Sequence, residues 1–353
     1  MTRESRARAA RRIATAAAYG GGGLGLLGVG FVGLLVTESR LAVRAVGLLE
    51  GDPPRADGVY GAAFADPAGE QEPLVLGFLG DSTAAGLGVR RGHETPGALL
   101  AAGLASVAER RVRLANVARS GGRSADLAEQ VVQVLPHRPE LAVIIVGAND
   151  VTKRTPPALA VRQLGEAVRA LREAGCQVVV GTCPDLGTIK PVRPPLRWVA
   201  RRLSRELAAA QTIAVVEQGG RTVSLGSLLG PEFAARPEMF AADRYHPSAQ
   251  GYATAAMALL PSLCAALDLW PDEREPAAPG AEQVLPMAVA AAAAAGRSGT
   301  EVTADERIGD FGRRWAQVKL RLRFGLPDAA DSTPEPASAN SHAGTGDDRA
   351  TKR

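Results

Sequence analysis

The chain has 353 residues, 46% of them hydrophobic and 4% aromatic, and its formal net charge is +4 at pH 7. This length fits one sizeable domain with extensions. Much of the positive charge lies in arginine-rich ends, which favours membrane contact there over a nucleic-acid partner. The three cysteines, Cys176, Cys183 and Cys264, form no CxxC pair. Their odd number and their spacing exclude a disulfide framework and a zinc site, so we expect buried free thiols.

The N-terminus combines a basic segment with a long charge-free run. Residues 1–12 contain five arginines and one glutamate, and no charged residue occurs from Ile13 to Val36. As a helix this run spans about 36 Å, enough to cross a hydrocarbon layer of about 30 Å. It predicts an uncleaved transmembrane signal anchor at 13–36, with 1–12 cytoplasmic and the following domain outside the cell membrane. Secretion after signal cleavage and a position on the cytoplasmic face stay open as alternatives.

After a linker at 37–72, the region 73–270 alternates apolar runs with amphipathic stretches. The apolar runs predict strands at Leu74–Leu79, Val112–Ala118, Leu141–Val146, Gln177–Thr182 and Thr212–Val216. The amphipathic stretches predict helices near Pro96–Arg110, Ser124–Leu135, Pro156–Ala174, Pro195–Ala210 and Ser248–Leu269. Continuous apolar strands are typical of a parallel sheet buried on both faces. The alternation therefore predicts an α/β sandwich.

Polar residues or glycines follow three of the predicted strands. Ser82 follows the first strand within VLGFLGDSTAAGLG, Gly121 follows the second within NVARSGG, and Asn149 follows the third within VIIVGAND. Active sites in open α/β sheets lie beyond the carboxyl ends of the strands. We therefore expect these three segments to converge at one edge of the sheet.

A candidate base and its acid lie farther along the chain, in the segment DRYH. His246 has Asp243 three residues before it, a spacing that places both side chains on one side of a turn. None of the other histidines, His93, His137 and His342, has a carboxylate three residues before it. A serine, an imidazole and a carboxylate together are what nucleophilic acyl transfer requires. The alternative roles are structural, with Ser82 as a helix N-cap and the Asp243–His246 pair as an exposed cap.

These segments, taken in order, resemble the SGNH (GDSL-type) hydrolase family. The matching blocks are Gly80-Asp81-Ser82, Gly121, Gly147-Ala148-Asn149-Asp150, and Asp243 with His246. The resemblance covers roughly Leu74 to Leu269, and the whole chain looks like a membrane-anchored, actinobacterial-like member. It implies a three-layer sandwich with a parallel, five-stranded, flavodoxin-like sheet, and a catalytic domain at 73–270.

The resemblance also implies a role for each matching residue. Ser82 would be the nucleophile, with an oxyanion hole formed by Ser82, Gly121 and Asn149; Gly122 stays open as an alternative backbone donor. The residues expected to support the site are Gly80, Asp81, Gly147 and Asp150.

The expected reaction is hydrolysis of a small-molecule carboxylic ester through an acyl-enzyme, with no cofactor and no metal. The chain contains no P-loop, no GxGxxG at a strand–helix junction and no HExxH. Two alternatives remain, namely acyl transfer to a sugar or lipid hydroxyl and a non-catalytic, membrane-tethered binding module. The sequence leaves open the acyl length, the alcohol and the oligomeric state.

For the C-terminal region we predict a helical extension at 271–327 and a disordered tail at 328–353. Apolar residues at Phe311, Trp315, Val318 and Leu322 recur at helical spacing among arginines and lysines. They predict a basic amphipathic helix, which either contacts the membrane surface or packs on the domain.

Overall fold

A mixed sheet of eight strands runs through the part of the chain that the computed structural model describes. The described residues are 33–34, 37–38, 41, 51–65, 71–226, 236–269, 287–295, 301–302 and 308–309. The strands are β1 (Gly58–Tyr60), β2 (Leu74–Gly80), β3 (Val112–Asn116), β4 (Leu141–Ile145), β5 (Gln177–Gly181), β6 (Arg221–Val223), β7 (Glu301–Val302) and β8 (Ile308–Gly309). The helices are α1 (Ser82–Ala85), α2 (Pro96–Ala108), α3 (Leu127–Val134), α4 (Ala148–Thr152), α5 (Pro157–Glu173), α6 (Leu196–Glu217), α7 (Ala249–Ala266) and α8 (Met287–Ala295).

The centre of the sheet is parallel, with the strand order β3-β2-β4-β5-β6. This is the order of flavodoxin-like sheets, as the family resemblance implies. The direction of winding changes between β2 and β4, so their carboxyl ends border a crevice. The segments that carry Ser82 and Asn149 follow these two strands directly.

Helices cover both faces of the sheet and give three layers. On one face α2 and α7 contribute Leu104 and Leu259 to a core that includes β2 and β3. On the other face α3, α5 and α6 pack on the sheet, with Leu164 and Val215 among the buried side chains. Because both faces are covered, β4 is buried at all five of its residues. The predicted α/β sandwich is confirmed, and all three cysteines are buried and free.

The sheet differs from the predicted parallel, five-stranded sheet at both edges. β1 pairs antiparallel with β3, β7 pairs antiparallel with β6, and β8 pairs antiparallel with β7. β1 comes from the region assigned to the linker, and β7 and β8 come from the region assigned to the helical extension. An ion pair of 3.0 Å between Arg221 and Glu301 joins β6 to β7. Strands of two or three residues are too short to show a periodic pattern in the sequence.

The predicted strand at Thr212–Val216 is wrong, because these residues form the last turns of α6. The Thr212 hydroxyl donates to the Ala208 carbonyl at 3.0 Å, as in a continuous helix. β-branched residues favour strands locally, but packing of a helical face overrides that preference. The fifth parallel strand is instead β6, which has only three residues.

The predicted transmembrane segment 13–36 lies outside the described residues apart from Gly33 and Leu34, and 1–12 lies entirely outside. No helix among the described residues combines the length and the apolar character needed to cross a membrane. The predicted amphipathic helix around Phe311–Leu322 and the tail at 328–353 also lie outside the described residues.

Candidate active site

A sharp turn at the end of β2 places Ser82 at the carboxyl edge of the sheet. Gly80 has φ of +132°, and a Cβ on it would lie 1.9 Å from the Ile145 carbonyl oxygen. Only glycine fits this close approach to β4. The Asp81 N–H then donates to the same Ile145 carbonyl at 3.0 Å, and the Asp81 carboxylate caps α1 by accepting from the Thr83 N–H at 2.9 Å. As a result, Ser82 begins α1 with its side chain facing the crevice.

His246 and Asp243 lie on the loop before α7 and meet Ser82 there. The His246 Nε2 atom lies 2.9 Å from the Ser82 Oγ atom, and the His246 Nδ1 atom lies 2.6 Å from an Asp243 carboxylate oxygen. The second Asp243 oxygen accepts from the backbone N–H groups of Tyr245 and His246, both at 3.0 Å. Ser82, His246 and Asp243 are therefore connected by consecutive hydrogen bonds.

Electrostatics fix the direction of these hydrogen bonds. Burial raises the pKa of Asp243, but the hydrogen bonds from His246 and the Tyr245 N–H more than offset it and hold that pKa below its ordinary value. An ionised carboxylate can only accept, so the His246 Nδ1 atom donates to it. In a neutral imidazole Nε2 is then the acceptor for the Ser82 hydroxyl proton, as a general base requires.

Further contacts hold the loop that carries His246 against the segment that follows α1. The buried Tyr252 hydroxyl donates to the Leu87 carbonyl at 2.6 Å. Gly88 passes so close that a Cβ there would lie 2.5 Å from the Pro247 carbonyl oxygen. The Tyr245 ring packs edge-on against the His246 ring, with the ring centroids 4.8 Å apart. The imidazole therefore has little freedom to leave the serine.

The candidate oxyanion donors lie on the loops after β3 and β4. One hydrogen of the Asn149 amide is held by the Gly122 carbonyl at 3.0 Å, so the second remains available to a ligand. The Gly122 N–H donates to the Arg119 carbonyl at 3.0 Å and is already used. Within the described part of the chain the Gly121 N–H makes no hydrogen bond, and Gly121 has φ of +78°. Of the two glycines, Gly121 is thus the one with a free donor.

The remaining predicted residues, Gly147 and Asp150, support the loop that carries Asn149. Gly147 has φ of +135°, and a Cβ there would lie 2.8 Å from the Cys183 Cβ atom. Asp150 is buried and accepts from both the backbone N–H and the hydroxyl of Ser124, at 3.0 and 2.9 Å. These contacts join the loop after β4 to the loop after β3.

Two buried glutamines brace the site, and sequence reasoning missed both. Gln130 accepts from the Gly80 N–H at 2.7 Å and donates to the Gly80 carbonyl at 3.0 Å. Gln211 accepts from the Cys183 N–H at 2.7 Å and donates to the Val146 carbonyl at 3.0 Å. A signal was present for Gln130, because it stands three residues after Leu127 on the apolar face of α3. A polar residue on a buried face needs a partner.

Comparison with known proteins shows the family to which the chain belongs. Residues 78–254 match the GDSL-like Lipase/Acylhydrolase family. The chain is also 41% identical over 289 residues to the "GDSL-like esterase Rv1075c" of Mycobacterium tuberculosis (strain ATCC 25618 / H37Rv), across 78% of this chain and 92% of that protein. The chain belongs to the GDSL-like lipase/acylhydrolase family. It is a carboxylic ester hydrolase, and the family predicted from the four sequence blocks is confirmed.

Two solved structures give more distant matches to this GDSL-like hydrolase. LAE5, an alpha/beta hydrolase enzyme from the metagenome of Lake Arreo in Spain, is 22% identical over 56% of this chain and 95% of its own, with a TM-score of 0.45. Axe2, an acetylxylan esterase from Geobacillus stearothermophilus, is 20% identical over 54% of this chain and 94% of its own, with a TM-score of 0.44.

Replacement of Gln130 tests whether this side chain positions the serine turn. In Gln130→Met the buried Gly80 N–H loses its partner, which costs about 1–3 kcal/mol of the free energy of unfolding. We expect kcat for a soluble ester to fall by about tenfold or more, because small displacements of a nucleophile are costly. The matched control is Gln133→Met, an exposed position on the same helix. Equal kcat and equal stability in the two variants would contradict the role of Gln130.

The buried carboxylate of Asp81 predicts a pH-dependent stability. Burial raises the pKa of Asp81 to about 6, so the native state binds more protons than the unfolded state between about pH 4 and pH 6. The contribution of Asp81 to stability therefore falls as the pH rises through this range. Asp81→Asn keeps a cap for α1 and removes this effect.

We expect the stability of Asp81→Asn relative to the parent to rise by about 3 kcal/mol between pH 4 and pH 7.5, at about 1.4 kcal/mol per pKa unit. Urea unfolding of both proteins at several pH values measures the difference. A difference that does not change with pH would contradict the buried, proton-binding state of Asp81.

Proposed function

We propose that this protein hydrolyses carboxylic esters with Ser82 as nucleophile, His246 as general base and Asp243 as the group that orients the base. The observation that carries the proposal is the unbroken line of contacts from the Ser82 Oγ atom to His246 at 2.9 Å and from His246 to Asp243 at 2.6 Å. If these residues only capped helices, His246 would need no contact with Asp243. Ser82 would also not need to face the Nε2 atom of His246. The set matches the geometry that activates a serine hydroxyl.

In the first half-reaction the Ser82 Oγ atom attacks the ester carbonyl carbon while its proton passes to the His246 Nε2 atom. Asp243 stabilises the imidazolium that forms. The tetrahedral intermediate collapses when His246 returns the proton to the leaving alcohol oxygen and the C–O bond breaks. In the second half-reaction water attacks the acyl-enzyme, His246 takes a proton from it, and the proton then returns to Ser82 as the carboxylic acid leaves.

The negative charge that develops on the carbonyl oxygen requires fixed donors. We assign these donors as the backbone N–H groups of Ser82 and Gly121 and the free hydrogen of the Asn149 amide. Each preorganised donor of this kind contributes about 3 kcal/mol to stabilisation of the transition state. We prefer Gly121 to Gly122 because the Gly122 N–H already donates to the Arg119 carbonyl. A small-molecule ester is the substrate class that this arrangement serves, and neither a metal nor an organic cofactor takes part in the proposed steps.

For its location, we propose that the segment 13–36 anchors the chain in the cell membrane with the hydrolase domain on the outer side. The support is the charge-free run from Ile13 to Val36 and the five arginines that precede it. Protease accessibility of the domain in intact cells tests the orientation, since an outer domain is cleaved and an inner one is protected.

Replacement of Ser82 tests the mechanism. In Ser82→Ala we expect kcat for p-nitrophenyl acetate and butyrate to fall by about 10⁴-fold or more, because the acyl-enzyme cannot form. The matched control is Ser106→Ala, whose hydroxyl on α2 donates to the Ala102 carbonyl in the preceding turn. Turnover by Ser82→Ala at the level of Ser106→Ala would refute the proposed nucleophile.

A further inference from the structure

A basic surface with an exposed tryptophan lies at the start of α6 and on the loop before it. We call it the α6 surface, and its members are Lys190, Arg193, Trp198, Arg202, Leu203 and Arg205, all exposed. Trp198 is 65% exposed and Leu203 41% exposed, although large apolar side chains usually avoid water. The segment 190–206 contains six lysines and arginines and a single carboxylate, Glu206. Apolar and cationic groups are therefore mixed on one patch.

Three of these six cations, Arg201, Arg202 and Arg205, form ion pairs within the described part of the chain, and the other three do not. Arg202 pairs with Glu206 at 2.7 Å, and Arg205 pairs with the buried Asp185 at 3.1 Å. Lys190 and Arg193 form no ion pair with any described carboxylate. The α6 surface therefore attracts a negatively charged partner.

The α6 surface also lies beside a residue that follows the charge-free N-terminal run closely in the sequence. The Glu38 carboxylate accepts from the Leu196 N–H at 3.0 Å, so Glu38 contacts the first residue of α6. Val36, the last residue of the charge-free run, is only two positions before Glu38. Leu34 and Leu41 on either side are exposed, at 47% and 55%. Glu38, the exposed tryptophan and the cations thus lie together around the start of α6.

We propose that the α6 surface docks on an anionic phospholipid bilayer, next to the point where the segment 13–36 leaves the membrane. This proposal rests on the membrane anchoring proposed above. Tryptophan and arginine are the side chains suited to the interface between headgroups and acyl chains. Each lysine or arginine near an anionic leaflet contributes about 1 kcal/mol. The anchor keeps the α6 surface at high effective concentration beside the bilayer, so a modest attraction is enough for docking.

Docking in this way would bring the candidate active site close to the membrane. The loop before α6 packs its buried Ile189 and Val192 into one cluster with Ala148 and Tyr245. Ala148 precedes Asn149, and Tyr245 precedes His246. The same loop therefore carries Lys190 and Arg193 toward the lipid and borders the residues proposed for catalysis. Esters that partition into the bilayer would reach the site over a short path.

The test is quenching of Trp198 fluorescence by brominated lipid in vesicles that contain the full chain. Trp270→Phe and Trp315→Phe leave Trp198 as the single tryptophan. The matched control also carries Trp198→Phe and places its one tryptophan by Val132→Trp on α3, a position that is 70% exposed. We expect brominated phosphatidylglycerol to quench Trp198 at least about twofold more than the control, and 0.5 M salt to reduce this quenching because it screens surface charge.

A charge-reversal variant separates docking from catalysis. Lys190→Glu combined with Arg193→Glu and Arg202→Glu is expected to lose the quenching of Trp198 and to keep parental turnover of p-nitrophenyl acetate in detergent. That turnover reports on the proposed catalytic function independently, and flotation with phosphatidylcholine vesicles reports on the anchor.

Three results would overturn the docking proposal. The first is Trp198 quenching no greater than that of the Val132→Trp control. The second is a change in Trp198 emission caused by soluble polyaspartate but not by lipid, which would assign the surface to a soluble polyanion. The third is a change that depends on protein concentration in detergent alone, which would assign it to a second copy of the chain.

Discussion

The close approach of β2 and β4 at the carboxyl edge of the sheet is the constraint on which the site depends. Gly80 lies against the Ile145 carbonyl with no room for a side chain, and the Asp81 N–H bonds to that carbonyl at 3.0 Å. This contact forces the chain to turn sharply and to start α1 at Ser82. Because winding reverses between these two strands, the same edge leaves a crevice, and the loop with His246 closes over it. The position of Ser82 therefore follows from the contact between β2 and β4.

Buried polar side chains then hold the loops around the serine in fixed positions. Gln130 pairs with both backbone groups of Gly80, and Gln211 joins the ends of β4 and β5. Asp150 connects the loops after β3 and β4 through Ser124. Burial of each of these polar side chains costs free energy if its hydrogen-bonding groups have no partners. Once those groups are paired, the side chain stabilises the fold. Oxyanion donors contribute to catalysis only if they are in place before the charge develops. These contacts hold the loops that carry Gly121 and Asn149, the donors proposed above.

The sequence predicts the centre of this architecture better than its edges. Continuous apolar runs locate β2 to β5, and the rule on strand ends predicts, without any coordinates, that the segments of Ser82, Gly121 and Asn149 converge at one edge of the sheet. The run Thr212–Val216 misleads because β-branched residues also pack well on a buried helix, here the end of α6. β1, β7 and β8 have two or three residues each, so their pairing depends on distant partners that no local pattern reveals. The two-sided bonding of Gln130 is likewise a tertiary contact, of which the sequence shows only a polar residue on an apolar face.

Labelling with a fluorophosphonate probe, followed by peptide mapping, tests most directly whether His246 activates Ser82. The probe reacts with a serine only when a neighbouring base increases its nucleophilicity. We expect one probe per folded chain, attached to the peptide that contains Ser82, and loss of labelling in His246→Gln. Labelling of a different serine, or undiminished labelling of Ser82 in His246→Gln, would contradict activation of Ser82 by His246.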